Sequence, residues 1–303
     1  PVARAVRRQP TLPNRHRRLA EVLHEPLHPP AAVVAADVAR ALAEDIGSGD
    51  VSAALLPDGP ATARIITRGA GILAGTDWAA ACFLSLDPDC RLIWYARDGM
   101  AVAAGDTLLV AHGRARALLS AERSALNFLQ TLSATATHTA RLMARIAHTR
   151  CVILDTRKTL PGLRLAQKYA VRCGGGCNHR IGLYDAVLLK ENHLMAAGSI
   201  AAAVGEARAR FPDLPLEVEV ESLEQLDQCL ALGVSRVMLD NFTPEQAREA
   251  VQRVAGRLQL EASGGIDERS LVQYAEAGVD FISVGALTKH IHALDLSMRF
   301  ARD

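Results

Sequence analysis

ALGVSRVMLDN (residues 231–241) and EAGVDFISVGA (276–286) follow one pattern: each closes a helical run on Gly-Val and enters a short apolar strand. From Cys151 onward the same rhythm recurs. Strand-like segments are CVILD (151–155), AVLLK (186–190), LEVEV (216–220), RVMLD (236–240), LQLEA (258–262) and FISVG (281–285). Helical runs such as SIAAAVGEARARF (199–211), SLEQLDQCLALG (222–233), PEQAREAVQRVAG (244–256) and ERSLVQYAEAG (268–278) lie between them. This alternation implies a parallel α/β barrel or a doubly wound sheet. The six strands fall short of the eight in a complete barrel.

In such folds ligands bind at the carboxyl ends of the strands. Those ends read Asp155-Thr156-Arg157-Lys158, Lys190-Glu191-Asn192-His193, Glu219 with Glu221, Asp240-Asn241, Ser263-Gly264-Gly265 and Gly285-Ala286. Packing alone asks for no such endings, so their clustering marks a site. Arg157, Lys158, His179, Arg180 and Lys190 form a cationic group, more than one carboxylate needs. Glu219 and Asp240 form an acidic pair suited to a divalent cation or to sugar hydroxyls. The loops Ser263–Gly265 and Val284–Ala286 can aim backbone N–H groups at a phosphate. Together these suit an anionic substrate and a phosphorylated, metal-bound sugar, the equipment of phosphoribosyl transfer. Each piece has a plainer reading: Glu217, Glu219 and Glu221 share one strand face by period two, as a solvated edge would. Asp240 can be a loop cap, and Ser-Gly-Gly an ordinary turn.

The first half reads differently. A helical run AAVVAADVARALAED (31–45) precedes β-type segments ATARIITRG (61–69), RLIWYA (91–96) and TLLVAHG (107–113), with a strand–turn–strand over 98–110. A long helical region over 118–149, with a break expected near Ser133, feeds the second half. Residues 1–30 form a basic, proline-rich extension with six arginines before Glu21 and no apolar core of a secretory signal.

Composition narrows the function classes. The net charge of +1 argues against nucleic acid as a partner, and no apolar run reaches the length of a membrane span. Six scattered cysteines in a chain of 303 residues suit reduced thiols and a cytoplasmic location. Of 34 basic residues only four are lysines, Lys158, Lys168, Lys190 and Lys289. Where arginine is the default cation, a retained ammonium can have a task that a planar fork cannot perform.

VRCGGGCNHR (171–180) admits three readings: a glycine cradle for an anion, a metal site from Cys173, Cys177 and His179, or a pocket wall carrying His179 and Arg180. Structural zinc sites pair two short-spaced ligand knuckles, and no second knuckle exists here. No Gly-Lys-Ser/Thr follows the glycines, which disfavours a Walker loop. The hairpin-like DGMAVAAGDTLLV (98–110) is similar to those of biotinyl and lipoyl carriers, but the chain has no lysine before Lys158 to carry the group.

The blocks DTRKTLPGLR (155–164), GGGCNHRIGLYDAVLLKENH (174–193), EVEVES (217–222), LDNF (239–242), ASGGI (262–266) and VGALT (284–288) resemble the quinolinate phosphoribosyltransferase family, decarboxylating enzymes of NAD biosynthesis. The resemblance runs from about Glu44 to the end. It implies an α/β fold: an N-terminal α/β sandwich (31–132), an incomplete α/β barrel of six to seven strands (133–291), and a tail (292–303) returning to the first domain. It also implies a homodimer, open to higher assembly, in which Arg123 is lent across the interface to the quinolinate pocket. By the same resemblance Arg157, His179 and Arg180 bind the two carboxylates, with Thr156, Lys158 and Lys190 nearby. Glu219 and Asp240 hold the ribose hydroxyls and Mg²⁺ of phosphoribosyl pyrophosphate. Ser263, Gly264, Gly265, Gly285 and Ala286 receive phosphate, and Lys158, Glu219 and Asp240 carry catalysis by charge complementarity. Two departures stand out: Ala134, where the family commonly has glycine, which bears on a local helix bend, and Cys177, a variable position. The nearest rival is a related transferase acting on a single carboxylate, such as nicotinate.

Overall fold

The structure is a computed structural model describing residues 28–301. Most of the extension expected over 1–30 lies outside the described residues. Helix α1 (Ala31–Ile46) buries Val34, Val38 and Leu42, one face at i, i+4, i+8. It stops at Gly47, whose φ of +53° suits glycine. Then come β1 (Pro60–Thr67), β2 (Gly71–Ile72), α2 (Thr76–Leu86), β3 (Arg91–Trp94), β4 (Ala101–Val102) and β5 (Thr107–Arg114). Helix α3 (Ala115–Arg145) leads into β6 (Val152–Leu154) and α4 (Arg164–Cys173). The remaining elements are β7 (Val187–Leu189), α5 (Glu191–Ala197), α6 (Ile200–Arg210), β8 (Leu216–Val220), α7 (Leu223–Ala231), β9 (Arg236–Asp240), α8 (Pro244–Val254), β10 (Gln259–Ser263), α9 (Leu271–Ala277), β11 (Phe281–Ser283), α10 (Ala286–Lys289) and β12 (Leu296–Phe300).

The first half is built on an antiparallel sheet in the order β12-β1-β5-β3. Ala63, Ile65, Leu109 and Ala111 pack with Trp78, Phe83, Leu126 and Leu129 in its core. Residues 98–110 do not form a simple hairpin: β4 pairs with β2 rather than β5. The last strand returns to the first sheet, Ile65 lying opposite Met298 in β12.

The break expected near Ser133 is absent, and α3 runs unbroken for 31 residues. Its Leu118, Ala125 and Leu132 belong to the first core and its Leu142 to the second. One helix therefore spans the boundary expected at 132/133, with Ala134 buried inside it.

The second half is a six-stranded parallel sheet in the order β6-β11-β10-β9-β8-β7. Sequence order is kept around the curve, and the sheet is open between β6 and β7, an incomplete barrel as expected. Most of its strands are apolar runs because both faces are covered, with the buried charges Glu217, Arg236 and Glu261 as exceptions. Val218, Val237, Leu239, Leu260 and Ile282 are fully or almost fully buried, each contributing about 1.5–3 kcal/mol by leaving water. At the open seam Cys177 bridges to Leu154 in parallel register, so the stretch 171–180 fills the gap in the barrel. No described helix is long and apolar enough to cross a membrane.

Candidate active site

The triple glycine is a packing device. A Cβ on Gly174 would meet the Ala136 carbonyl and approach Thr139 Cβ to 2.6 Å, and one on Gly176 would come 2.8 Å from Thr139 Cγ2. These two glycines let the chain lie against α3, while Gly175 supplies a φ of +86° with nothing around it. Among the described residues the group spaced for a metal does not include Cys173 or Cys177, and burial raises the pKa of both thiols.

Past the seam the chain is pinned from below. Asp155, at the end of β6, is fully buried and accepts hydrogen bonds from Asn178 Nδ2 (2.5 Å), His179 N (2.9 Å) and the Lys168 ammonium. Lys168 also donates to the His179 carbonyl at 2.9 Å. Two of these bonds fix the backbone of His179 and one the side chain of Asn178, and the charge of Lys168 answers that of Asp155. Arg164 ties the neighbouring loops, donating to Thr159 Oγ1 at 3.2 Å and to the Ile181 carbonyl at 3.1 Å.

Above this frame opens a cavity of about 650 Å³ at the carboxyl ends of the strands. Its lining includes Thr156, Arg157, Lys158, His179, Arg180 and Lys190. Burial and then the neighbouring Arg157 charge hold the Arg180 pKa below its ordinary value. An anion placed there relieves the repulsion between the two guanidiniums. His179 Nε2 lies 2.9 Å from Glu217 Oε2, and its Nδ1 accepts from Arg180 N at 2.7 Å.

The opposite wall is acidic and glycine-rich. Lys190 Nζ meets Glu219 Oε2 at 2.5 Å. Asp240 has its pKa raised, first by burial and then by the like charge of Glu219, with Lys190 and Lys158 opposing. Two mutually repelling carboxylates facing one cavity are a donor set that fits a hard divalent cation. Asn241 adopts φ +57° and donates to Asp240 Oδ2 at 2.8 Å. Its side chain occupies the place of a Cβ on Gly264, so that position admits only glycine. At Gly285 a Cβ would press to 3.0 Å on Lys158 Cδ, so glycine there leaves room for the lysine.

The structure therefore brings Ser263, Gly264, Gly265, Gly285, Ala286, Glu219 and Asp240 into the same cavity as the cations. Arg123 is the exception: it lies exposed on α3 and outside the cavity. Lys289, the last residue of α10, and His290 just after it also line the cavity although neither stands at a strand end. The low lysine count carried more information than its two site members suggested. Three of the four lysines line the cavity and Lys168 braces its floor. Glu217, which shares a face with Glu219, is not a solvated edge: it is 6 % exposed and bound to Arg236 and His179. Its neighbour Glu261 is wholly buried. The ligand atoms of His179, Glu217 and Glu261 all lie within 4.8 Å of one another, a spacing open to a metal. Arg236 bridges both carboxylates and supplies the positive charge there instead.

The chain matches two family descriptions in tandem: "Quinolinate phosphoribosyl transferase, N-terminal domain" over residues 50–133 and "Quinolinate phosphoribosyl transferase, C-terminal domain" over 135–299. It is 43% identical over 272 residues to the nicotinate-nucleotide pyrophosphorylase [carboxylating] of Mycobacterium leprae, covering 86% of this chain and 95% of that one. A probable enzyme of the same name from Bacillus subtilis is 41% identical over 257 residues, covering 84% of this chain and 89% of that one. Among solved structures, the nicotinate-nucleotide pyrophosphorylase from Francisella tularensis superposes with a TM-score of 0.90 at 47% identity, covering 92% of this chain and all of that one.

Proposed function

The chain belongs to the quinolinate phosphoribosyltransferase family, and we infer from that premise how its own residues carry out the reaction. The enzyme transfers the phosphoribosyl group of phosphoribosyl pyrophosphate to quinolinate, with loss of CO₂, giving nicotinate mononucleotide and pyrophosphate for NAD biosynthesis. The observation that carries this reading is the cavity: apart from Arg123, every site residue expected from the sequence lines it.

In our reading Arg157, Arg180 and His179 pair with the two carboxylates of quinolinate, with Thr156 at the edge of that subsite. Charge-assisted bonds to a dianion offset the mutual repulsion of the cations. Ser263, Gly264 and Gly265 with Gly285 and Ala286 offer backbone donors to phosphate, and Lys158, Lys190 and Lys289 add positive charge. Glu219 and Asp240 accept from the ribose hydroxyls and would hold Mg²⁺, which supplies charge neutralisation of the pyrophosphate when bound. As the pyridine nitrogen displaces pyrophosphate, positive charge develops on the ribose ring. Glu219 and Asp240 are placed to stabilise it, and Lys158 to neutralise the departing pyrophosphate. The bond to the adjacent carboxylate then breaks with loss of CO₂, its electron pair stays on the ring carbon beside the quaternary nitrogen, and that carbon takes up a proton from water. No acid–base dyad is needed; positioning and charge complementarity do the work.

The working unit is, in this proposal, a homodimer. Exposed Arg123 does not line its own chain's cavity, and in this reading it completes that of a second copy; higher assembly is compatible with this. Six unpaired cysteines suit a cytoplasmic setting. The test is substrate choice: with Mg²⁺ and phosphoribosyl pyrophosphate, quinolinate should turn over and nicotinate should not compete. Preferential turnover of nicotinate would replace this reading with that of a single-carboxylate transferase.

A further inference from the structure

Below the anion side of the cavity lies a group of charges that the reaction as described does not touch. Glu217 on β8, Arg236 on β9, Glu261 on β10 and Ser283 on β11 come from four adjacent strands. All four are buried, Glu261 completely. Arg236 Nε donates to Glu217 Oε1 at 3.0 Å, and its Nη2 donates to Glu261 Oε2. Ser283 Oγ donates to the other oxygen of Glu261. The ring of Phe281 covers the guanidinium at 4.4 Å. From above, His179 Nε2 reaches 2.9 Å from Glu217 Oε2 and 3.6 Å from Glu261 Oε1.

With both carboxylates ionised the charges do not balance without the histidine: two carboxylates and one guanidinium leave one negative charge in the interior, directly under the imidazole. Burial and then Glu217 raise the Glu261 pKa, while His179, Arg236 and the Ser283 hydroxyl oppose them. Uncompensated buried charge is strongly unfavourable, so the floor favours a proton on His179. The other charged groups against this residue are accounted for. Asp155 and Lys168 touch only its backbone and answer each other, while Arg180, with Arg157 beyond it, faces the cavity. The geometry also links ring charge to the clamp. Nδ1 accepts the Arg180 N–H, and a second proton at Nδ1 would turn that contact from attraction to repulsion.

We propose that Glu217, Arg236 and Glu261 form a positioning frame that sets the charge and orientation of His179 and, through Nδ1, the backbone of Arg180. Arg236 and Glu261 are the informative members, because neither lines the cavity. The direction agrees with the electrostatics. Burial alone would strip the His179 proton, but Glu261 and then Glu217 outweigh it and raise the pKa, with Arg236 opposing.

The test is the ring ¹⁵N titration of His179 in the ligand-free, full-length protein, its signal identified by its loss in His179→Gln. Glu261→Gln should lower the His179 pKa by about one unit, a tenfold loss in proton affinity. Arg236→Met should raise it by a similar amount, and the double variant should return towards wild type. A merely structural role would not give opposite signs. Should Arg236→Met fail to fold, Glu261→Gln decides alone: an unchanged or raised pKa overturns the proposal. The clamp part rests on the proposed function and has its own readout. KM for quinolinate should rise on acidification as Nδ1 takes its second proton, and Glu261→Gln should move that rise to lower pH while leaving KM for phosphoribosyl pyrophosphate unchanged. An unmoved pH profile would remove the link to Arg180. The predicted NMR shifts in a protein that does not turn over quinolinate would instead uphold the frame and refute the assigned reaction.

Discussion

Replacing Lys168 by methionine should loosen the fold and the site together. The Lys168 and Asp155 side chains are 3% and 0% exposed. In Lys168→Met the Asp155 carboxylate keeps its donors from Asn178 and His179 but loses its counter-charge. Removing one partner of a buried pair costs about 3–5 kcal/mol. The two surviving donors place this case near the lower end, about 3 kcal/mol. With an unfolding entropy of about 2.1 cal/mol/K per residue, a chain of 303 residues shifts by about 1.6 °C per kcal/mol, so the thermal midpoint should fall by roughly 5 °C. The bond from Lys168 to the His179 carbonyl is lost as well, so KM for quinolinate should rise. The assay is urea unfolding of wild type, Lys168→Met, and the double variant Asp155→Asn/Lys168→Met, all at one protein concentration. Removing both charges should recover part of the loss. A single variant within about 1 kcal/mol of wild type, or no recovery in the double, would refute the reasoning.

Other expectations follow from the same geometry. Gly174→Ala drives a methyl into the Ala136 carbonyl and to 2.6 Å from Thr139 Cβ, so it should cost several times the roughly 1 kcal/mol expected for Gly175→Ala, where only φ is strained; melting of both variants checks this. Arg180→Ala should weaken quinolinate binding by about tenfold to a hundredfold, the worth of one charge-assisted hydrogen bond, with phosphoribosyl pyrophosphate binding unchanged by calorimetry. Mixing inactive Arg123→Ala and Arg180→Ala subunits should restore about a quarter of wild-type activity, since half of random dimers would hold one intact site of two; no recovery after subunit exchange would place Arg123 outside the site. Asp240 has a raised pKa, so on acidification it takes a proton and loses its hold on the cation above the ordinary carboxylate range. The KM for Mg²⁺-bound phosphoribosyl pyrophosphate should therefore climb as pH falls, and Asp240→Asn should remove that limb.

The barrel was legible because each strand is a short apolar run ended by charge or glycine, and all six candidate strands are formed. The same endings placed the site, since parallel strands bring their carboxyl ends to one rim. What escaped the sequence depends on contacts between distant residues. Ser and Thr over 133–139 suggested a helix break, yet Ser133 and Thr137 spend their hydroxyls on the backbone of Ala74 and Ile72, and Thr139 on Thr135. These three hydroxyls are bonded, while Thr135 Oγ1 is buried without a partner among the described residues, and the helix runs on through all of them. The triple glycine looked like a ligand cradle, and only the approach of α3 shows that Gly174 and Gly176 are there for packing. Period two put Glu217 and Glu219 on one face, but no local pattern shows that Arg236 and Glu261, 19 and 44 residues further on, enclose the first and leave the second at the cavity.

The most direct test of the central claim is product stoichiometry. Purified protein given quinolinate, phosphoribosyl pyrophosphate and Mg²⁺ should form nicotinate mononucleotide, pyrophosphate and CO₂ in equal amounts. Folded protein that forms no mononucleotide, or forms it without CO₂, would contradict the account.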